Sequence, residues 1–264
     1  MKRSILTGVL VVASGFLCAM AQQPPAQPKP AGKQAAGPAP KSQAEAQALQ
    51  ALMSAQGNPD ATIKAAEEVL TKFADTDFKE MVLTMEAVAY EQKGDADKAI
   101  IFGEKVIEVN PKGFQAPLMI GNILAQRTRE NDLDKEEKLG RAEKLLAGVV
   151  EGLKTASKPN AQLTDEQWNE AKVFITAEAH NGLGMVALTR KKYDVAITEF
   201  QAAASGDPQP AYNVRLASAL QQAGKNVEAI AIVDKLLADP QLHPQIKSVA
   251  LNIKQVATAA SQKK

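Results

Sequence analysis

Histidine and cysteine most often serve as metal ligands, general bases or nucleophiles near neutral pH, and this chain contains few of them. His180 and His243 are its two histidines, and Cys18 is its one cysteine. The two histidines lie far apart in the sequence, and neither has an acidic or cysteine neighbour at the spacing of metal ligands. The sequence therefore predicts no catalytic residue, no metal site and no bound cofactor.

Motifs for phosphate, dinucleotide or acyl-transfer chemistry are also missing from the sequence. It has no glycine-rich phosphate loop, no paired dinucleotide-binding glycines after a strand and no nucleophile elbow. Charged residues make up 23% of the chain and the net charge is +1, a balance that does not indicate a nucleic-acid partner. These exclusions favour a protein that is not an enzyme.

Residues 1–21 are predicted to be a secretory signal peptide. A positive start at Lys2-Arg3 precedes apolar residues 5–17, and Ala19-Met20-Ala21 forms a small-x-small cleavage site. The protein is therefore expected to be periplasmic or secreted, with membrane contact only through this segment. Two alternatives stay open, namely an uncleaved membrane anchor and a lipoprotein acylated on Cys18.

Composition changes twice after this segment. Residues 22–41 contain six prolines among alanine, glutamine, glycine and lysine, which predicts a disordered, semi-extended linker. From 42 to 258 apolar residues recur every three or four positions, as in amphipathic helices, and breakers such as Asn110-Pro111 divide the region into short helices. Residues 259–264 are predicted to be a polar tail.

One pattern of side-chain sizes recurs along the helical region. Each copy of the pattern begins at a small residue, has alanine 12 residues after it and has a third residue 16 residues after it. The three copies are Gly184, Ala196 and Phe200; Ala217, Ala229 and Val233; and Ala87, Ala99 and Gly103. Two helices can cross closely only where side chains are small, and larger side chains then fill the seam. The pattern predicts antiparallel helix pairs with close crossings.

The turn and second-helix segments at 90–100 and 192–200 resemble those of the tetratricopeptide repeat, a 34-residue helix–turn–helix unit. The resemblance implies an all-α, right-handed α-solenoid, in which residues 244–258 form a capping helix with a polar outer face. The third unit carries a nine-residue insertion around Arg127–Lys138. The five units are placed at 43–76, 80–113, 114–155, 177–210 and 210–243.

A long helix is predicted before the fourth unit. Thr164 and Gln167 have the spacing of a capping box, and the helix they begin would continue to about Arg190, a length of roughly 40 Å. Trp168, Phe174 and Ile175 lie on the extra part. These residues either cover the end of the third unit or form an exposed ridge that binds a partner.

The resemblance also implies a binding surface, because the first helices of this family line a concave groove that takes peptides or helices. The set mixes apolar and amide side chains, which suit an extended or helical partner segment, and it lacks the bases that some family members use to clamp a carboxylate tail. It comprises Met81, Thr84, Val88, Glu91, Gln115, Leu118, Asn122, Gln126, Glu178, Asn181, Met185, Thr189, Val214, Ser218 and Gln222.

Two functions remain open beside an enzyme with an unrecognised site, for which the sequence offers no cluster of His, Cys or paired acids. The first is a non-catalytic protein–protein interaction scaffold or adaptor in the cell envelope, whose protein partner the sequence does not identify. The alternative is a structural solenoid that associates with copies of itself, through its ends or through the long helix that contains Trp168, to form homo-oligomers.

Overall fold

A computed structural model describes residues 38–159 and 162–262. The predicted signal segment, most of the linker at 22–41 and the last two residues of the predicted tail lie outside the described residues. The described residues form eleven α-helices and no strand, which confirms the all-α prediction. The helices are α1 Gln43–Ser54, α2 Pro59–Lys72, α3 Lys79–Gln92, α4 Ala96–Val109, α5 Gln115–Arg127, α6 Lys135–Thr155, α7 Asp165–Thr189, α8 Tyr193–Gly206, α9 Pro210–Gln222, α10 Asn226–Leu237 and α11 Pro244–Ser261.

The helices pack in chain order, as in an α-solenoid. Each helix contacts the next one along the chain, and α5 also contacts α7 while α9 also contacts α11. Short turns join the first and second helices of most pairs, so the paired helices are antiparallel. No helix among the described residues is both long enough and apolar enough to cross a membrane.

Four of the turns between a first and a second helix contain a residue in the left-handed backbone conformation. In each case this residue ends the first helix. Gly57, Gly94 and Gly224 have φ angles of 88°, 78° and 77°, a conformation that glycine adopts without steric cost. Lys191 takes this place between α7 and α8 with a φ of 60°. Each of the three glycines therefore lies at the end of a first helix.

Close crossings join the paired helices where small residues were predicted. A Cβ added to Gly184 in α7 would lie 2.6 Å from the ring of Phe200 in α8, which is fully buried. A Cβ on Gly121 in α5 would likewise lie 2.6 Å from Cγ of Leu146 in α6. Only glycine leaves room for these large side chains at the crossings.

The contact between Gly121 and Leu146 locates the predicted nine-residue insertion in the third pair. Gly121 precedes Leu146 by 25 residues, whereas Gly184 precedes Phe200 by 16, and 25 − 16 leaves nine extra residues. They lie in the loop at 128–134 and at the start of α6, which has 21 residues. The crossing of Gly121 with Leu146 therefore keeps the packing of an ordinary pair.

Hydrogen bonds between the turns repeat at close to one repeat length. Arg127 Nη2 donates to the carbonyl oxygen of Gly94, 33 residues earlier, at 2.6 Å. Lys225 Nζ donates to Asp194 Oδ1, 31 residues earlier, at 3.0 Å. These contacts tie the α3–α4 turn and the start of α8 to the following repeat.

The last helix differs from the prediction in length and in surface. It continues to Ser261 because Ala259 and Ala260 are strong helix formers, so residues 259–261 belong to α11 and not to a tail. Its outer face was expected to be polar, and it mixes exposed polar residues such as Gln245, Lys247 and Asn252 with apolar ones. Val249, Leu251 and Val256 are 48%, 50% and 43% exposed, because α11 packs on α9 and α10 through its other side.

Candidate functional site

The fifteen residues of the predicted groove lie on α3, α5, α7 and α9, the first helices of four consecutive pairs, and we call this side of those helices the first-helix face. Glu91, Gln115, Gln126 and Gln222 are exposed or nearly so, and most of the others are half-buried. The exceptions are Asn181 and Val214, which are 2% and 9% exposed. Val214 packs into the core beside α8 and α10 and offers little surface to a partner.

Two side-chain pairs link α7 to α9 on this face. Arg215 Nη1 donates to Oδ1 of Asn181 at 2.6 Å, and the hydroxyl of Tyr212 donates to Oε1 of Glu178. Both pairs are 34 residues apart, which is one repeat length. Tyr212 and Arg215 are not among the residues predicted from the sequence, although their spacing from Glu178 and Asn181 is a signal that could have identified them.

Burial shifts the pKa values of several titratable groups on this face. Burial lowers the pKa of Arg215, and the nearby Glu178 acts in the opposite direction. Burial raises the pKa of Tyr212, as does its hydrogen bond to Glu178. Glu91 on α3 is exposed, but neighbouring protein atoms partly desolvate its carboxylate and raise its pKa, with a further contribution from the negative charge of Glu178 on α7. The first-helix face therefore has a partly dehydrated cluster of acidic, basic and phenolic groups at its centre.

The α5–α7 crossing places Asn122 deep in the same face. A Cβ on Gly182 of α7 would clash with Asn122 Oδ1 and would lie 2.7 Å from Leu146 Cδ1. Asn122 Oδ1 is buried and accepts no hydrogen bond from the described residues. Asn122 is therefore a packing residue at a helix crossing as well as a residue of the face.

Both histidines have structural partners. His180 Nδ1 lies 2.7 Å from Oε2 of Glu199, so the side chain links α7 to α8. His243 is the N-cap of α11, where its Nδ1 accepts from the backbone N–H of Gln245 at 3.3 Å. Glu199 lies on the following helix, which is why sequence spacing did not reveal this pair. The described residues contain no group of three or more His, Cys, Asp or Glu that could hold a metal ion.

The long helix α7 begins at the predicted capping box, in which Thr164 and Gln167 exchange side-chain to backbone hydrogen bonds. Trp168 is 8% exposed, and its indole N–H donates to the carbonyl oxygen of Ala156 at 3.3 Å. It packs with Leu146, Val149 and Leu153 of α6. Trp168 therefore covers the end of the third pair, and Ile175 packs against the same cluster. Phe174 is half-buried on another side of α7.

Comparison with known proteins gives two sequence matches to the tetratricopeptide repeat. One covers residues 82–112 and the other covers 181–245. These ranges correspond to the second, fourth and fifth predicted units. Among curated proteins, no sequence was found to match the chain.

Solved structures share the fold at low sequence identity. The crystal structure of TTC0263, a thermophilic TPR protein of Thermus thermophilus, has a TM-score of 0.56 and 17% identity over 79% of this chain and 98% of its own. MamA from Desulfovibrio magneticus RS-1, from residue 41 to its end, has a TM-score of 0.55 and 17% identity over 74% of this chain and 93% of its own. The repeat matches show tetratricopeptide repeats at residues 82–112 and 181–245. The solved structures, the glycine crossings and the one-repeat spacing of the hydrogen bonds show that the described residues have the α-solenoid fold of tetratricopeptide-repeat proteins.

Proposed function

We propose that this protein is an exported scaffold of the cell envelope that binds an extended or helical segment of a partner protein along its first-helix face. Protein interaction is the general role of tetratricopeptide-repeat folds, and the signal-like residues 1–21 favour export. The observation that carries the binding mode is the polar cluster of Glu178, Asn181, Tyr212 and Arg215 that joins consecutive first helices.

This cluster suits the recognition of a polypeptide backbone. The guanidinium group of Arg215 has five N–H donors, and Nη1 bonds to Asn181. Within the described residues, each nitrogen atom of Arg215 either forms a hydrogen bond or reaches solvent. The donors that reach solvent can bind carbonyl oxygens of a partner. Met185, half-buried beside the cluster, adds a flexible apolar contact.

Site-specific photo-crosslinking in cells tests this proposal. A photoreactive amino acid at Gln126 or Gln222, which lie on the first-helix face, should give one discrete adduct in the envelope fraction. The same group at Gln201, which is exposed on the second helix α8, should not give that adduct. Identical adducts from all three positions, or adducts found only in the cytoplasm, would contradict the proposal.

The variant Arg215→Gln tests in the same experiment whether the polar cluster is needed for binding. Loss of a charged donor from a desolvated contact costs about 1.5–3 kcal/mol, so the adduct yield at Gln126 and Gln222 should fall at least about tenfold. Arg129→Gln removes the same charge from an exposed loop residue and should leave the yield unchanged. Equal effects of the two variants would indicate general charge attraction and not recognition by the cluster.

Self-association is the second candidate function, and two exposed valines of α11 favour it. Val249 and Val256 are seven residues apart, so they lie on the same side of the helix, where both are more than two-fifths exposed. If copies associate through this side, light scattering at micromolar concentration should give a dimer that Val249→Ser with Val256→Ser converts to monomer. A monomeric wild-type protein under these conditions would remove this candidate.

A further inference from the structure

The long helix α7 extends past the end of its partner α8. A Cβ on Gly206, the last residue of α8, would lie 3.6 Å from Cβ of Ala177 and 4.0 Å from Cγ1 of Val173. Because α7 begins at Asp165, about 12 Å of helix lies before Val173. Trp168 covers the α6 side of this extension, whereas its α8 side is open.

A cleft of about 640 Å³ occupies the open side. Glu166, Glu170, Val173 and Phe174 have the spacing i, i+4, i+7 and i+8, so they line one side of α7. The end of α8 forms the opposite wall. Val173 is 48% exposed and Phe174 is half-buried, so the part of the cleft nearest α8 is apolar.

Three carboxylate groups lie around this apolar surface. Glu166, Glu170 and Asp207 line the cleft, and none of the three forms an ion pair with another described residue. By contrast, the adjacent Asp165 is paired with Lys158 at 2.7 Å. The free carbonyl groups at the C-terminus of α8 add further negative potential. The cleft is therefore complementary to a cation that has an apolar stem.

We propose that this cleft is a second docking surface, which binds a segment of a partner protein that presents a lysine or arginine beside an aliphatic residue. The aliphatic stem of the base lies against Val173 and Phe174, and its charged head reaches Glu166, Glu170 and Asp207. The surface shares no residue with the first-helix face. It would let the scaffold hold a second segment, or a longer one, at the same time.

Titration of the full chain with short capped peptides tests this inference. A peptide of repeating Lys-Leu-Ala should bind and shift the NMR resonances of Asn169 and Val173, which lie at the cleft. Glu166→Gln with Glu170→Gln should weaken binding at least about fivefold, since two ion pairs are lost. Glu108→Gln with Glu228→Gln makes the same change in net charge at exposed positions on α4 and α10, and should weaken binding less than about twofold.

Peptide controls separate charge from apolar contact. Peptides of repeating Glu-Leu-Ala and Lys-Ser-Ala should both bind much more weakly, and Val173→Ser should weaken binding of the Lys-Leu-Ala peptide. Absence of Lys-Leu-Ala binding, equal losses in the two double variants, or shifts confined to the first-helix face would overturn the inference. Arg215→Gln should leave this binding unchanged, so the result is independent of the proposed groove.

Discussion

Replacing Glu86 with leucine should stabilise the protein, and the gain should be larger at pH 8 than at pH 5. Glu86 lies in α3 with its side chain fully buried, and neither carboxylate oxygen has a hydrogen-bond partner among the described residues. Val82, Leu83 and Tyr90, which lie one turn away on the same helix, are buried as well. A carboxyl group in this apolar position is costly, and more so when it is ionised.

The sign of the pH effect follows from the pKa. Burial raises the pKa of Glu86 from 4.5 to about 7, with a smaller contribution from the charge of Glu67 and opposing contributions from Lys105 and Lys98. Between these values the folded protein holds a proton that the unfolded chain releases. Wild-type stability is therefore lost as pH rises from about 4.5 to about 7, by on the order of 2–3 kcal/mol once partial solvation is considered.

Urea unfolding followed by circular dichroism at pH 5 and pH 8 measures this effect. Glu86→Leu should remove the pH-dependent loss and raise the melting temperature at pH 8 by roughly 5–10 °C. Glu86→Gln should also remove the pH dependence, but it should stabilise less because its amide remains unbonded. Glu108→Gln, at an exposed position on α4, should retain the wild-type pH dependence. An unchanged pH dependence in Glu86→Leu would show that Glu86 is ionised when folded.

Replacing Gly184 with leucine should destabilise the protein by about 3 kcal/mol or more, because the crossing of α7 and α8 has no room for a side chain. Even a Cβ would lie 2.6 Å from Cδ1 and Cε1 of Phe200. Gly148 is the matched control, since it is exposed in α6 and an added Cβ would meet nothing within 4 Å. Gly148→Ala should stabilise by up to about 1 kcal/mol through helix propensity alone. The two variants are compared by chemical unfolding midpoints.

A double substitution that also shortens the side chain on α8 tests the contact between Gly184 and Phe200 a second time. Gly184→Ala with Phe200→Val reproduces the combination at Ala217 and Val233, which has the same spacing and is fully buried. The double variant should lose less free energy of unfolding than the two single variants lose in sum, because a smaller residue on α8 makes room for the methyl group. Strict additivity would mean that Gly184 and Phe200 do not share this crossing.

Local features of the sequence predicted much of the fold. The capping box at Thr164 and Gln167 forms as expected, and Gly94 and Gly224 adopt the left-handed conformation that ends a helix. Each depends on residues within one or two turns of each other, so spacing along the chain is sufficient to identify it. The small residues at repeat spacing likewise predicted the close crossings.

The candidate site was predicted only in part. The residues of the predicted groove lie on first helices, because the repeat register fixes which helix of each pair is the first, and their contact with a partner stays a prediction. Val214, however, faces the core, and Arg215 and the buried Tyr212, which bond to Asn181 and Glu178, were overlooked. These positions depend on how far each pair is rotated against the next one, and side-chain periodicity within a single helix does not determine that rotation.

The sequence by itself determined the all-helical repeat architecture, because a helix, its cap and its turn glycine are set by neighbouring residues. Only the tertiary structure decided that Glu86 is enclosed without a hydrogen-bond partner in the described part of the chain, that Arg215 meets Asn181, and that α7 passes the end of α8 to open an acidic cleft. These features join residues from different helices. Their energies depend on the spacing and rotation of packed helices, which arise when all the pairs bury their apolar sides together.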